Sequence, residues 1–292
     1  MASMSYDRHC AEIVAQTALL RTRVEGADLS APVPTCPGWT LARLLRHLGG
    51  AHRRVETLVR TRATGPVPDG PAGDVPGPAD GDGSALAARL TEGADRLADT
   101  LRAAGPEAAV WTPGPGATSA FWARRMAHET VVHRADAIFA TAQAPGGPAV
   151  ADRPFAVVED VAVDALDEWM SFGSLPAVLE RGPRISAFLG TGRTLRLQAT
   201  DGTPEAAADW LVDLDADALS WHRPPPLAPS TPPATTTVRG ALNDLLLLVY
   251  GRLPARGPVP APVAAGTGPV EILGEAPLLD AWLEAVGCWL RE

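Results

Sequence analysis

The chain has few cysteines and no long apolar run, and each of these two shortages excludes a class of protein. Its three cysteines, Cys10, Cys36 and Cys288, stand too far apart to form a disulfide framework or a paired-cysteine metal knuckle. The longest apolar run, 245–249, is far shorter than the roughly 20 residues that span a bilayer. The first residues also lack the basic and apolar segments of a signal peptide. We therefore expect a reduced, cytoplasmic protein that does not cross a membrane.

Acidic side chains outnumber basic ones, and lysine is absent. Arginine supplies all 25 basic side chains against 34 acidic ones, so the net charge is −9. Binding to a nucleic-acid backbone needs clustered Lys and Arg, so nucleic acid is not an expected partner. Apolar residues make up 46% of the 292 residues and charged residues 20%, which is typical of a globular protein. The length is sufficient for two ordinary domains.

The first half of the chain predicts a bundle of four helices separated by proline- and glycine-rich segments. The second of these helices follows Thr40, a plausible N-cap, and carries a regular apolar stripe with spacings of three and four. The segment 65–83 is rich in Gly, Pro and Asp and predicts a mobile loop. The helices are expected over about 6–25, 41–61, 84–104 and 118–141.

The second half of the chain changes character after Gly147. A helix is expected over about 154–172, and strand patterns with a period of two follow it. The predicted strands are 193–200, 210–215, 218–222, 235–239 and 270–273, with helices at 241–250 and 278–289. The predicted fold class is therefore α+β, with an N-terminal helical bundle at 1–150 and a smaller C-terminal α+β domain at 151–292.

The candidate chemistry comes from histidine. Four of the six histidines fall on the second and fourth predicted helices. Glu129 and His133 are spaced i, i+4, so both side chains project from one face of the fourth helix. A carboxylate and an imidazole one turn apart can bind one ion together. A third ligand from a facing helix would complete a catalytic type of metal site with a position left open.

The spacing leaves alternatives open. His128 and His133 are five residues apart, which excludes the His-Glu-x-x-His geometry of metalloproteases. An exposed Glu and His on a bundle surface would give the same pattern, although Trp122 shares the face of Glu129 and suits solvent poorly. On the second helix, His47 and His52 border opposite sides of the apolar stripe. Helical spacing alone does not choose between them as a third ligand.

Three segments carry a resemblance to a known family. Residues 33–52, with Pro-Thr-Cys-Pro-Gly-Trp-Thr and then Arg-His-Leu-Gly, resemble the start of the mycothiol-dependent maleylpyruvate isomerase family. Residues 121–136, with His-Glu-Thr-Val-Val-His, are similar to its second signature, and residues 238–252 are similar to the start of the main helix of its C-terminal domain. The family belongs to the DinB-like group of metal-binding four-helix bundles and is found largely in actinobacteria.

The resemblance implies a ligand set and an activity. It implies that His47, Glu129 and His133 bind zinc, and that His52 and His128 lie beside the ligands or on the surface. It also implies an enzyme that uses mycothiol, a low-molecular-weight thiol, to isomerise or S-conjugate a small electrophilic substrate. Zinc would lower the pKa of the thiol, and the thiolate would add to an activated double bond.

Other functions remain open on the sequence. A metalloenzyme of the same fold could act without a thiol, by hydrolysis or by tailoring a natural product. A third alternative is a metal- or ligand-binding protein without turnover. No catalytic residue is assigned, and Trp122, Arg125 and Arg252 are the candidate substrate contacts. The remaining tryptophans are expected in the core, Cys36 is expected in a packed turn, and the chain is expected to be a monomer or a homodimer.

Overall fold

The computed structural model describes most of the chain, and the chain divides into two compact units, Met4–Pro154 and Phe155–Glu292. The predicted boundary between residues 150 and 151 lies outside the described residues, as do residues 68–82 of the expected 65–83 loop. The described residues are 4–67, 83–142, 155–176, 185–190, 192–203, 208–215, 219–224, 233–254 and 270–287.

The N-terminal unit is built from four long helices. Helix α1 packs on α3 and α4, and helix α2 packs on the same two helices, so the four form a closed bundle. The bounds are α1 Tyr6–Val24, α2 Leu41–Arg60, α3 Gly83–Ala104 and α4 Ser119–Ala142. Each begins and ends within two residues of its predicted bounds.

Side-chain caps fix where the first two helices begin. The Ser5 hydroxyl accepts a hydrogen bond from the Arg8 backbone N–H at 3.2 Å, and the Thr40 hydroxyl accepts one from Arg43 N–H at 3.3 Å. Both hydroxyls satisfy an N–H that has no partner inside its helix. Helix α1 ends before Gly26, whose φ of 72° suits a residue without a side chain.

Helix α4 is buried around nearly its whole circumference over its second half. From Thr130 to Thr141 every residue is buried, including five polar ones, so this stretch has no solvent face. Small residues such as Ala135, Ala137 and Ala140 allow neighbouring helices to approach closely on several sides. The polar side chains of α4 must therefore find partners inside the protein.

The C-terminal unit is a five-stranded mixed sheet with helices. The strand order is β3-β2-β1-β4-β5, and β1 and β4 pair in parallel while the other neighbours are antiparallel. Helix α5 packs against α6 and α7, and α6 also contacts β1. The bounds are α5 Glu159–Gly173, β1 Thr194–Ala199, β2 Asp209–Leu214, β3 Leu219–His222, β4 Thr236–Gly240, α6 Leu242–Val249, β5 Glu271–Gly274 and α7 Ala276–Val286.

The predicted α+β class and the N-terminal helical bundle are confirmed. Helix α5 starts later than expected, at Glu159, where two acidic residues in its first turn favour a helix N-terminus. A 3₁₀ turn at Ile185–Phe188 was not predicted, because it is too short to leave a periodic pattern. Among the helices described, none combines the length and the apolar character that crossing a bilayer requires.

Two adjacent leucines on α1 give a direct test of the bundle core. Leu20 is fully buried, whereas Leu19 is 51% exposed. We expect Leu20→Ala to lower the free energy of unfolding by about 2–5 kcal/mol, because it leaves a cavity in the core. Leu19→Ala is the matched control and should change it by less than about 0.5 kcal/mol. Equal effects in chemical denaturation would mean that α1 is rotated relative to this structure.

Candidate metal centre

The bundle brings His47 of α2 together with Glu129 and His133 of α4. His47 Nε2 lies 3.3 Å from Glu129 Oε1, and His133 Nε2 lies 3.0 Å from the same oxygen. One ligand atom from each residue falls within 4.8 Å of the others. Around a tetrahedral zinc ion, with its ~2.0–2.2 Å bonds to N and O, the donor atoms stand about 3.3–3.5 Å apart. The observed spacing is close to that of a ligand set.

The second oxygen of Glu129 has a different partner. Arg125, one turn earlier on α4, donates a hydrogen bond from Nη2 to Glu129 Oε2 at 2.8 Å. The side chains of Arg125 and Glu129 are 13% and 21% exposed, so the pair is partly screened from solvent. Arg125 thus holds one oxygen and leaves Oε1 directed at the two imidazoles. This arrangement favours binding of an ion through a single carboxylate oxygen.

The other nitrogen of His133 is held by a buried carboxylate. His133 Nδ1 lies 2.8 Å from Oδ2 of Asp136, which is completely buried. Thr35 donates its hydroxyl to Asp136 Oδ1 at 2.5 Å, and the Cys36 thiol donates to Oδ2 at 3.5 Å. A carboxylate on the far nitrogen of a metal-binding histidine fixes its tautomer and makes it a stronger ligand. This is the pattern expected of an imidazole that binds an ion through Nε2.

A tight turn before α2 places Thr35 and Cys36 beside α4. The turn is closed by an isolated bridge between Pro32 and Thr40 and by a hydrogen bond from Cys36 N–H to the Val33 carbonyl at 3.0 Å. Gly38 has a φ of +78°, a conformation that residues with side chains rarely adopt. The Pro-Thr-Cys-Pro-Gly-Trp segment therefore contributes directly to the surroundings of His133.

Trp39, at the end of this turn, lies against both imidazoles. Its ring centroid is 4.8 Å from that of His47 and 6.2 Å from that of His133, and it is nearly parallel to the latter. The Arg43 guanidinium lies 5.0 Å from the Trp39 ring centroid. Trp39 is half-buried and packs against an apolar cluster of the bundle, so it lies at the edge of the core. It shields the two imidazoles on one side.

Charge at the cluster is set by these contacts. Burial acts to raise the pKa of Glu129, but the charge and hydrogen bond of His133, the hydrogen bond of His47 and the charge of Arg125 hold it well below its usual range. Burial acts to lower the pKa of His133, but Glu129 and Asp136 outweigh it and raise that pKa to about 9. Without an ion, His133 is therefore an imidazolium at neutral pH. An ion that binds Nε2 must displace a proton.

The residues fit a divalent metal ion of the zinc type. Two imidazole nitrogens and one carboxylate oxygen are the ligands of several catalytic zinc sites, in which a fourth position stays open for water or substrate. Imidazole ligands also suit other first-row metals, so the donor set does not specify zinc alone. His133 also donates from Nδ1 to Asp136, as the histidine ligands of metal sites almost always do with the nitrogen that does not bind the ion.

His52 and His128 are both fully buried, so a surface position for either is excluded. Thr130 donates its hydroxyl to the Met126 carbonyl at 2.7 Å, so it accepts from His52 Nε2–H at 3.0 Å. Burial lowers the pKa of His52 to about 4, so this imidazole is neutral at pH 7. The ring of His128 packs edge-on against His9, with centroids 5.9 Å apart. In the described structure His47, and not His52, faces Glu129.

The three predicted substrate contacts lie in different surroundings. Arg125 is at the cluster, as described above. Trp122 is 8% exposed, belongs to an apolar cluster of the bundle, and donates from Nε1 to the Trp111 carbonyl at 2.7 Å. Arg252 of the C-terminal unit donates from Nη1 to the Tyr250 carbonyl at 2.7 Å. Contact of these three residues with a substrate stays a prediction.

Sequence reasoning did not single out Asp136, Thr35 or Trp39. Asp136 follows His133 by three residues, and this i, i+3 spacing on a helix was a signal that it could reach the imidazole. Thr35 and Trp39 gave no comparable signal, because they reach the site through the conformation of the turn and not through a helical period. Their proximity depends on tertiary structure.

A family model gives an independent comparison. Residues 10–138 match the model described as the mycothiol maleylpyruvate isomerase N-terminal domain. This stretch contains all three candidate ligands, together with Asp136 and Trp39. The family resemblance read from the first two segments is confirmed, and the third segment, 238–252, lies outside the matched residues. No curated protein sequence matches the chain.

Solved structures are similar in fold. A crystal structure of the mycothiol-dependent maleylpyruvate isomerase covers 89% of this chain and 99% of its own, with a TM-score of 0.53 and 14% sequence identity. A crystal structure of a histidine-to-alanine mutant of the mycothiol-dependent maleylpyruvate isomerase covers 86% of this chain and 91% of its own, with a TM-score of 0.49 and 14% identity. At this identity the first likeness concerns the fold, and it agrees with an N-terminal helical bundle in an α+β protein.

The first prediction concerns metal content. We expect the purified protein to bind about one divalent ion per chain, and His47→Ala or His133→Ala to lose it, because two remaining ligands hold an ion poorly. Glu129→Gln should lose part of it. His222→Ala is the control, since its half-exposed side chain lies on β3 of the other unit. Full metal by elemental analysis in a folded His47→Ala/His133→Ala double variant would reject the site.

The second prediction concerns Asp136. Asp136→Asn keeps the shape of the side chain but removes the charge that supports His133, so we expect metal affinity to fall about 10- to 100-fold. Competition titration with a chromogenic chelator measures this affinity. Asp99→Asn is the control, because Asp99 lies on α3 with its side chain 80% exposed. Unchanged affinity in Asp136→Asn would show that Asp136 does not act through His133.

Proposed function

We propose, from the premise that residues 10–138 belong to the mycothiol maleylpyruvate isomerase N-terminal domain family, that the protein is a metal-dependent enzyme acting with a low-molecular-weight thiol. The thiol is mycothiol. The reaction is the isomerisation or the S-conjugation of a small electrophilic molecule. The metal is zinc or a similar divalent ion.

One observation carries the metal part of this proposal. Two nitrogens and one carboxylate oxygen, from His47, His133 and Glu129, lie within 4.8 Å of one another, and Asp136 pairs with the other nitrogen of His133. Structural zinc sites have four protein ligands, whereas three leave a position for a reactant. A zinc ion held there would lower the pKa of a thiol that joined it, giving a nucleophile at neutral pH.

Three residues beside the candidate ligands would position them and limit their contact with water. Arg125 takes one oxygen of Glu129, so the carboxylate is directed through the other oxygen. Asp136 keeps one proton of His133 on Nδ1, so Nε2 is the nitrogen that would hold the ion once its own proton is displaced. Trp39 covers one side of both imidazoles and limits the access of water there. None of these residues needs to accept the thiol proton. A thiol whose pKa is lowered by the metal would lose its proton to solvent.

The proposed substrate contacts are chosen for their charge and for their position near the cluster or in the chain. Arg125 lies beside the cluster and is the first candidate to attract an anionic electrophile. Trp122 and Arg252 are the other proposed contacts. The proposal also includes the predicted cytoplasmic location and a monomeric or homodimeric state. Its partners are small molecules, and nucleic acid is not among them.

Thiol dependence is the test of this function. We expect the metal-loaded protein to convert maleylpyruvate, or an electrophile from a panel of activated alkenes and epoxides, when mycothiol is present. Omitting mycothiol should reduce turnover to the uncatalysed rate, because no other nucleophile is proposed. His133→Ala should do the same, whereas His222→Ala should retain activity. Product analysis by mass spectrometry separates isomerisation, which leaves the mass unchanged, from S-conjugation, which adds the thiol.

Two outcomes would contradict the proposal in different ways. Turnover that needs the metal but not mycothiol would indicate attack by metal-activated water, hence a hydrolase or a tailoring enzyme of the same fold. Metal-loaded protein that is inert across the panel with mycothiol present would indicate a metal- or ligand-binding role without turnover. In both cases the metal site itself would stand, since metal content is measured separately.

A further inference from the structure

A second group of ligand atoms lies on the opposite side of the His133 ring. It consists of Cys36, His133 and Asp136, each of which offers one ligand atom within 4.8 Å of the other two. Nε2 of the same ring faces Glu129 and His47. The imidazole of His133 therefore stands between two clusters, each of which offers three donors.

The spacing of the second group comes close to that of a thiolate-containing site. Cys36 Sγ lies 3.5 Å from Asp136 Oδ2, and His133 Nδ1 lies 2.8 Å from the same oxygen. Bonds of about 2.3 Å to sulfur and 2.0–2.2 Å to nitrogen and oxygen put tetrahedral donors roughly 3.3–3.7 Å apart, with the sulfur pairs at the longer end. The sulfur–oxygen distance already has this value. The nitrogen–oxygen distance has to open by about half an ångström, which is within reach of side-chain torsions.

We propose that Cys36, His133 and Asp136 form a second, weaker binding site for a thiophilic divalent metal ion, such as zinc, cobalt or cadmium. The second ion shares His133 with the first. This site goes beyond the proposed function, which needs one ion only. Thiolate and imidazole together select for soft and borderline metals over magnesium or calcium.

Proton release accounts for the weaker binding. The thiol proton of Cys36 and the Nδ1 proton of His133 must both leave to solvent when the second ion binds, so the ring becomes an imidazolate that joins the two ions. Two divalent ions then balance the thiolate, the imidazolate and the carboxylates of Glu129 and Asp136. The hydrogen bond from Thr35 to Asp136 Oδ1 is kept, because the ion needs only Oδ2. The first ion needs no thiol proton to leave, so it binds first.

The position of Cys36 gives an ion a route to the site. Cys36 is half-buried in the turn before α2, whereas Asp136 is fully buried and His133 nearly so. By contrast Cys10 is completely buried in the apolar core of the bundle, and burial raises the pKa of its thiol to about 11. Among the cysteines that the structure describes, Cys36 is therefore the one that is both partly exposed and beside His133 and Asp136.

A cobalt titration tests the second site without measuring activity. We expect the metal-free wild-type protein to bind a first equivalent of Co²⁺ with no sulfur-to-cobalt charge-transfer absorption, and a second, weaker equivalent that produces it. Cys36→Ser should keep the first equivalent and lose the near-ultraviolet absorption. Cys10→Ala and Cys288→Ser are the controls, and both should behave as wild type because the proposal gives neither thiol a role.

Each other outcome overturns the inference. Binding of a single equivalent with no charge-transfer band, even in excess cobalt, would show that the second site does not form. A band with the first equivalent would show that Cys36 belongs to the primary site. A band that survives in Cys36→Ser and disappears in Cys288→Ser would assign the thiol elsewhere. Because Cys36→Ser retains the first equivalent if the primary site is right, failure of this inference is distinguishable from failure of the proposed function.

Discussion

The rest of the site depends on two hydrogen bonds that hold the His133 imidazole between two carboxylates. His133 directs Nε2 to Glu129 and Nδ1 to Asp136, and each carboxylate has a further partner that fixes it. Arg125 holds the first and Thr35 holds the second. Removing either carboxylate would leave a buried imidazole with a free nitrogen and a changed charge. The ring is therefore fixed in position before any ion arrives, which lowers the cost of binding one.

The bundle provides this arrangement because the polar residues of α4 have no access to solvent over its second half. A buried carboxylate or imidazole is tolerated only when it is paired, so the surrounding helices and the turn at 33–39 must supply partners. His52 contributes in the same way, since its hydrogen bond to Thr130 joins α2 to the turn of α4 that carries Glu129. The packing of α2 against α4 brings His47 to the cluster. Polar pairs across this helix interface, such as His52 with Thr130, stabilise that packing.

The sequence predicted the elements better than it predicted their contacts. Apolar periodicity gave α2 and its cap at Thr40, and alternation gave the strands, because each signal is local. The i, i+4 spacing of Glu129 and His133 was also local and could be read. The choice between His47 and His52 could not be made from the helical period, because both border the apolar stripe, and only the resemblance to a family indicated His47. Trp39 reaches the site through a turn whose path depends on a glycine at positive φ, so no periodic pattern reports it.

Anomalous diffraction at the metal edge, from crystals of the protein loaded with one equivalent of zinc, shows directly which side chains bind the ion. We expect one peak within about 2.2 Å of His47 Nε2, His133 Nε2 and a single oxygen of Glu129, with Asp136 still bonded to Nδ1. A peak on the Nδ1 side of His133, beside Cys36 and Asp136, would contradict it. So would zinc bound at surface residues while His47, Glu129 and His133 keep the ion-free contacts described here.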